Sequence, residues 1–157
     1  MTEIISKYEI AKAYGRKKHE GQSRKYTGLP YHTHTERVAD RVAMLFEDMD
    51  MIIAALLHDV VEDTDATFSE IYTMFGPRVH DLVKELTDVY TKEAYPQFNR
   101  AQRKMMETAR LTQISVKAKQ IKLCDLADNT ADVIENDPGF AKIYLIEKAA
   151  ILEAFGF

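Results

Sequence analysis

The run Ala54-Ala55-Leu56-Leu57-His58-Asp59-Val60-Val61-Glu62-Asp63 sets four ionisable side chains into an otherwise apolar stretch. Side chains four apart share one face of a helix, so a helix here stacks His58 over Glu62 and Asp59 over Asp63. Burying such groups is costly unless something pairs with them, and a divalent cation is the simplest partner. An apolar helix of this kind belongs at the middle of an assembly, with other helices packed around it. The spacing predicts one helix over about 50 to 63.

The rest of the chain reads as helices separated by short breaks. Ile4, Ile5, Tyr8, Ala11 and Tyr14 recur at helical spacing and predict a first helix over about 3 to 19. Gly21 to Pro30 reads as a loop, and a second helix is expected from Thr33 or Thr35 to about Phe46. Thr67 and Glu70 form a capping box that opens a short helix ending at Phe75-Gly76. Pro77 suits the first turn of the next helix, expected to reach about Val89. A polar helix over about 97 to 110 and a long one over about 115 to 134 follow, and a last helix carries Tyr144, Ile151 and Phe155. No alternating strand pattern, repeat or linker interrupts this series. The expected fold is all-α, with about eight helices in a single domain over residues 1–157.

Composition narrows the function classes. No apolar run approaches the roughly 20 residues of a membrane span, and Met1 to Ile5 carries no secretion signal. Cys124 is the single cysteine, which excludes an internal disulfide and fits a cytoplasmic protein. A formal net charge of -4 argues against duplex nucleic acid as a partner held by phosphate contacts. Local cations still allow a small polyanionic substrate, and Arg16-Lys17-Lys18 with Arg24-Lys25 form one such cluster.

A metal shell needs more than one helix, because neighbours such as His58 and Asp59 point about 100° apart. Tyr31-His32-Thr33-His34 offers two histidines at the start of the second helix. Asp125, amid Ile121, Leu123, Cys124, Leu126 and Ala127, reads either as a carboxylate, buried or facing a cleft, in need of a partner, or as a surface acid or a salt bridge with Lys122 or Arg103. Asn129 lies one turn on and shares its face. His19 and His80 read as surface or helix-end residues, the methionines as packing filler, and Cys124 as a buried inert thiol.

Taken in order, these pieces resemble a known family. Gly28-Leu29-Pro30-Tyr31-His32-Thr33-His34, the run Ala55 to Thr64, Phe75-Gly76 followed by Val79, Leu82, Val83 and Thr87, Ile121 to Asp125 with Asn129, and Tyr144 with Glu147-Lys148 are similar to the HD metal-dependent phosphohydrolases. Within them the pattern resembles the hydrolase domain of RelA/SpoT-type enzymes and the stand-alone small alarmone hydrolases, over residues 7 to 152. The resemblance implies an HD-domain helical bundle and metal ligands His34, His58, Asp59 and Asp125, with Mn2+ as the usual ion and other divalent metals permitted by the donors. His32 is then the histidine that does not ligate. The resemblance gives Glu62 and Asp63 the attacking water, and Asn129 a place near the ribose and metal. It gives Arg24-Lys25 the guanine base and Tyr144 the nucleotide pocket, and it includes Lys122 in the same motif. The implied reaction removes the 3′-pyrophosphate of guanosine tetra- or pentaphosphate, an alarmone, and the expectation is a stand-alone hydrolase.

Three positions depart from the family pattern. Thr35 stands where Pro is usual, Leu126 replaces a basic residue, and Asp128 stands where His or Tyr is common. They leave the metal set intact and bear on substrate choice. An HD phosphohydrolase of another nucleotide (a deoxynucleotide, a 5′-nucleotide or NADPH) stays open beside the alarmone reading. So does a nucleotide sensor or antitoxin without activity.

Overall fold

In a computed structural model that describes residues 6–157, the helical breaks fall close to the sequence signals. The elements are α1 (Lys7–Lys18), α2 (His32–Leu45), α3 (Met49–Leu57), α4 (Val60–Asp63), α5 (Phe68–Phe75), α6 (Pro77–Leu86), α7 (Arg100–Leu111), α8 (Val116–Asn136) and α9 (Pro138–Ala154). Among the described residues there is no strand, only an isolated bridge between Ser23 and Pro30. No helix among them is long and apolar enough to cross a membrane. Residues 3–5 of the expected first helix lie outside the described residues.

The helix starts carry their caps. Ser6, Asp48, Thr67, Ser115 and Asp137 each accept a hydrogen bond from a backbone N–H two or three residues into their helix. Asn99 and Gln102 form a reciprocal capping box, which starts α7 three residues later than the periodicity predicts. The box expected at Thr67 is only half made. Thr67 caps the Glu70 N–H, but the Glu70 carboxylate turns away to accept a hydrogen bond from the Tyr14 hydroxyl at 2.6 Å. That bond holds the Glu70 carboxyl below its usual range, and burial, with the same bond second, pushes the Tyr14 phenol up. At Gly76 the backbone reaches φ 90°, which ends α5 and lets Pro77 begin α6 at once.

The chain divides into two compact units, residues 1–87 and 88–157. In the first, α3 is the central element and packs against α1, α2 and α6. Met51, Ile53, Ala54, Ala55, Leu56 and Leu57 are all buried, so most of its apolar surface beyond Met49 is covered. Fully burying a large aliphatic side chain contributes roughly 1.5–3 kcal/mol, and α3 supplies several. The second unit is built from α7, α8 and α9, with Leu111, Ala118, Ile121, Cys124, Leu126 and Val133 buried. The methionine expectation fails at most positions. Met51 is core, but Met44, Met49, Met74 and Met105 are exposed.

The expected continuous helix over 50–63 is corrected at its most important point. It breaks at His58-Asp59, between α3 and α4. Asp59 sits at φ -101°, ψ -3°, in the sparsely populated bridge region where active-site residues recur. The His58 side chain turns back and donates Nδ1–H to the Ala55 carbonyl at 2.7 Å. The α-type ladder resumes with Asp63 N–H to the Asp59 carbonyl at 3.0 Å.

Close packing of α1 on α3 yields a stability prediction. A Cβ added at Gly15 would meet the Leu56 carbonyl oxygen at 3.5 Å and Leu57 Cδ2 at 3.9 Å, both ordinary contacts. Gly15 is a helix-interior residue and its backbone is not among the positive-φ glycines. Gly15→Ala is therefore expected to stabilise the protein by about 0.5–1 kcal/mol in denaturant unfolding. A destabilised variant would show that the α1–α3 contact tolerates no added methyl group.

Candidate functional site

His34, on the first turn of α2, and His58 and Asp59, in the break after α3, bring three ligand atoms within 4.8 Å of one another. Asp59 Oδ2 lies 3.1 Å from His58 Nε2 and 3.6 Å from His34 Nε2. Ligand atoms held about 2.0–2.2 Å from one ion at right angles lie about 3 Å apart, so this spacing suits a shared divalent cation. The donor chemistry fits as well. A carbonyl only accepts, so the bond to Ala55 places the hydrogen of His58 on Nδ1 and makes Nε2 the ligating nitrogen. Both histidines are buried, at 1% and 3% exposure, whereas Asp59 is partly open.

The break in the helix explains how adjacent residues serve one site. On an unbroken helix His58 and Asp59 would diverge; the turn swings the carboxylate back toward the imidazole. The same turn brings Asp59, Glu62 and Asp63 into a second group of potential oxygen ligands within 4.8 Å. Glu62 and Asp63 are exposed. His32 is not in the first group; its Nδ1 lies 3.3 Å from Glu36 Oε1.

The loop 21–30 carries Arg24 and Lys25. Its ends are tied by Arg24 N–H to the Leu29 carbonyl at 2.8 Å and Tyr31 N–H to the Gln22 carbonyl at 2.9 Å. The Arg24 guanidinium lies 5.7 Å from the Tyr31 ring centre and the Lys25 ammonium 5.3 Å from that of Tyr26. His19, expected at a surface or helix end, caps the end of α1 but is buried at 1% exposure. Burial pushes its pKa down, opposed by the hydrogen bond to Gln22.

The second unit holds the remaining candidates. Asp125 is buried on α8, not a surface acid, and accepts from Lys122 Nζ at 3.1 Å and Asn129 Nδ2 at 3.0 Å, so it is both a buried carboxylate and the partner of Lys122. Tyr144 donates to the Leu126 carbonyl at 3.3 Å, and burial pushes its phenol up. Lys122, Asn129 and Tyr144 line a pocket of about 120 Å³ together with Lys104, Lys148 and Asp88. Lys148 donates to Thr130 Oγ1 at 2.9 Å. Burial pushes the Asp88 carboxyl up against the pull of Lys122. Lys104 and Asp88 were not singled out in the sequence, whereas Lys148, one turn after Tyr144, belongs to the Tyr144 with Glu147-Lys148 stretch that carries the resemblance. Of the two departures on α8, Leu126 lines this pocket, whereas Asp128 is buried and is not among its lining residues. Three lysines still supply cations there.

A family model described as HD domain matches residues 11–135. The chain belongs to the HD domain family. This HD-domain chain is 39% identical over 128 residues to the guanosine-3′,5′-bis(diphosphate) 3′-pyrophosphohydrolase MESH1 of Drosophila melanogaster, covering 80% of this chain and 68% of that one. It is 49% identical over 87 residues to a guanosine-3′,5′-bis(diphosphate) 3′-pyrophosphohydrolase of Aquifex aeolicus, which is 55% of this chain but only 12% of that longer protein. The HD fold also matches the solved structure of a metazoan orthologue of SpoT that hydrolyses ppGpp. That match has a TM-score of 0.85 at 31% identity and covers 99% of this chain and 89% of the other.

Proposed function

We propose that this protein is a metal-dependent phosphohydrolase that removes the 3′-pyrophosphate of guanosine tetra- or pentaphosphate, leaving GDP or GTP. The observation that carries the reading is the convergence of His34, His58 and Asp59, with Glu62 and Asp63 on the following turn. The relatives named above act on this substrate class and support it.

The proposed ion is Mn2+, held by His34, His58 and Asp59, with Asp125 as the fourth ligand on the strength of the family resemblance. A divalent ion there supplies an acidified water and polarises a phosphoryl oxygen. Glu62 or Asp63 takes the proton of the attacking water as its oxygen bonds to phosphorus. The 3′ ester P–O bond breaks, pyrophosphate leaves, and the ribose oxygen takes up a proton. Arg24 and Lys25 are assigned to the guanine base; Lys122, Asn129 and Tyr144 are assigned to the ribose and phosphates. The lysines of the second unit offset substrate charge even with Leu126 in place of a basic residue.

The test is a Mn2+-supplied assay on guanosine tetraphosphate, deoxynucleoside triphosphates, nucleoside 5′-monophosphates and NADPH, with products identified. Pyrophosphate and GDP from guanosine tetraphosphate are expected. Turnover confined to the other nucleotides would overturn the alarmone assignment, and a metal-loaded protein silent on all of them would overturn the enzyme reading.

A further inference from the structure

Tyr31 touches the metal set without belonging to it. Its hydroxyl donates to Asp59 Oδ2 at 2.7 Å. That is the same oxygen that lies closest to the Nε2 atoms of His58 and His34. A carboxylate oxygen has two lone-pair directions, so a phenol on one leaves the other aimed at an ion. Partners of this kind fix the orientation of a ligand and raise metal affinity.

The phenol is itself held. The Tyr31 ring lies between two imidazoles, 4.8 Å from the ring centre of His19 at 37° and 5.8 Å from that of His34 in an edge contact. Its backbone N–H is bonded to the Gln22 carbonyl. The Gln22 side chain accepts from His19 Nδ1 at 2.7 Å and donates to the Asp63 carbonyl at 2.7 Å. One glutamine thus ties the ring that supports Tyr31 to the backbone of an acidic residue on α4. This also gives buried His19 a part that its sequence position does not suggest.

We propose that Tyr31 is the positioning residue of the metal centre, fixing the Asp59 carboxylate in its ligating orientation, with His19 and Gln22 as its support. The proposal rests on the metal assignment made above. Tyr31→Phe keeps the ring and its stacking and deletes only the donor. In calorimetric titration of Mn2+ into chelator-stripped protein, this variant is expected to bind about 10- to 100-fold more weakly than wild type. The chain has no Trp, so its near-ultraviolet absorbance comes from tyrosine. Wild type should show a tyrosine difference band on metal addition, and Tyr31→Phe should lose it.

His19→Leu, which removes the supporting ring but leaves the hydroxyl, is expected to weaken Mn2+ binding less than Tyr31→Phe does. If Tyr31→Phe binds Mn2+ within twofold of wild type while Tyr31→Leu does not, only the ring matters and the proposal is overturned. A folded wild type that binds no Mn2+ would instead overturn the metal assignment itself, and this inference with it.

Discussion

Asp59→Ala is expected to lose its metal and at least about 10³-fold in hydrolysis, while remaining folded. The loss corresponds to roughly 4 kcal/mol of transition-state stabilisation, within the several kcal/mol that Lewis-acid and water activation supply. The expectation follows from the geometry of the break after α3. Asp59 is the only anion among the three converging donors of the first unit. Without it, two neutral imidazoles would be left with Asp125 as the one proposed anionic ligand for a hard divalent ion, which prefers carboxylate oxygen. Tyr31 would also lose the acceptor of its hydroxyl. Metal content by elemental analysis separates this variant from Glu62→Gln and Asp63→Asn. In those the ion should stay bound and only turnover should fall, because these side chains are exposed and lie one turn beyond the ligands. An Asp59→Ala protein that retains one tightly bound ion would refute the ligand assignment.

Asp59 also shows how far the sequence could be read. The apolar setting of the pair and its place in the chain were legible, because a run such as Ala54 to Leu57 can only be buried. The break was not, because residues in a tight helical turn keep the spacing that a continuous helix would have. The break depends on a side-chain bond from His58 to Ala55, which residue types alone do not announce. His19 failed for a related reason. A histidine between Lys18 and Glu20 reads as a solvated helix end, and it becomes buried through loop residues that fold back against it, Gln22 and Tyr31. Caps and breakers were the most legible signals, since Thr67 and Gly76-Pro77 act through local hydrogen bonds and local sterics. Glu70 marks the limit of that rule. The capping box expected of it lost to Tyr14, a partner 56 residues away.

The largest stability effect outside the metal set is expected at Glu107. This residue lies on a helix rich in Arg and Lys, yet it is only 5% exposed. Its Oε1 accepts from the backbone N–H groups of Val89 and Tyr90 at 2.6 and 2.7 Å, and Oε2 accepts from Arg110 Nε at 2.8 Å. One carboxylate therefore anchors the start of the loop that precedes α7 and pairs with the last turn of that helix. Hydrogen bonds to charged acceptors contribute about 1.5–3 kcal/mol each, and removing one partner of a buried ion pair adds the cost of leaving the other. Glu107→Ala is expected to destabilise the protein by about 3–5 kcal/mol in denaturant unfolding. At about 2–4 °C per kcal/mol for a chain of this size, that lowers Tm by roughly 10 °C. Glu107→Gln keeps an acceptor for the two backbone groups but sets an amide N–H against Arg110, so its cost should be about half as large. Exposed Glu135→Ala should stay within about 0.5 kcal/mol of wild type. Amide exchange locates the effect: the Val89 and Tyr90 N–H groups should lose protection in Glu107→Ala and keep most of it in Glu107→Gln. Equal protection in the two variants would mean that the loop is held by its own packing and that Glu107 acts only through Arg110.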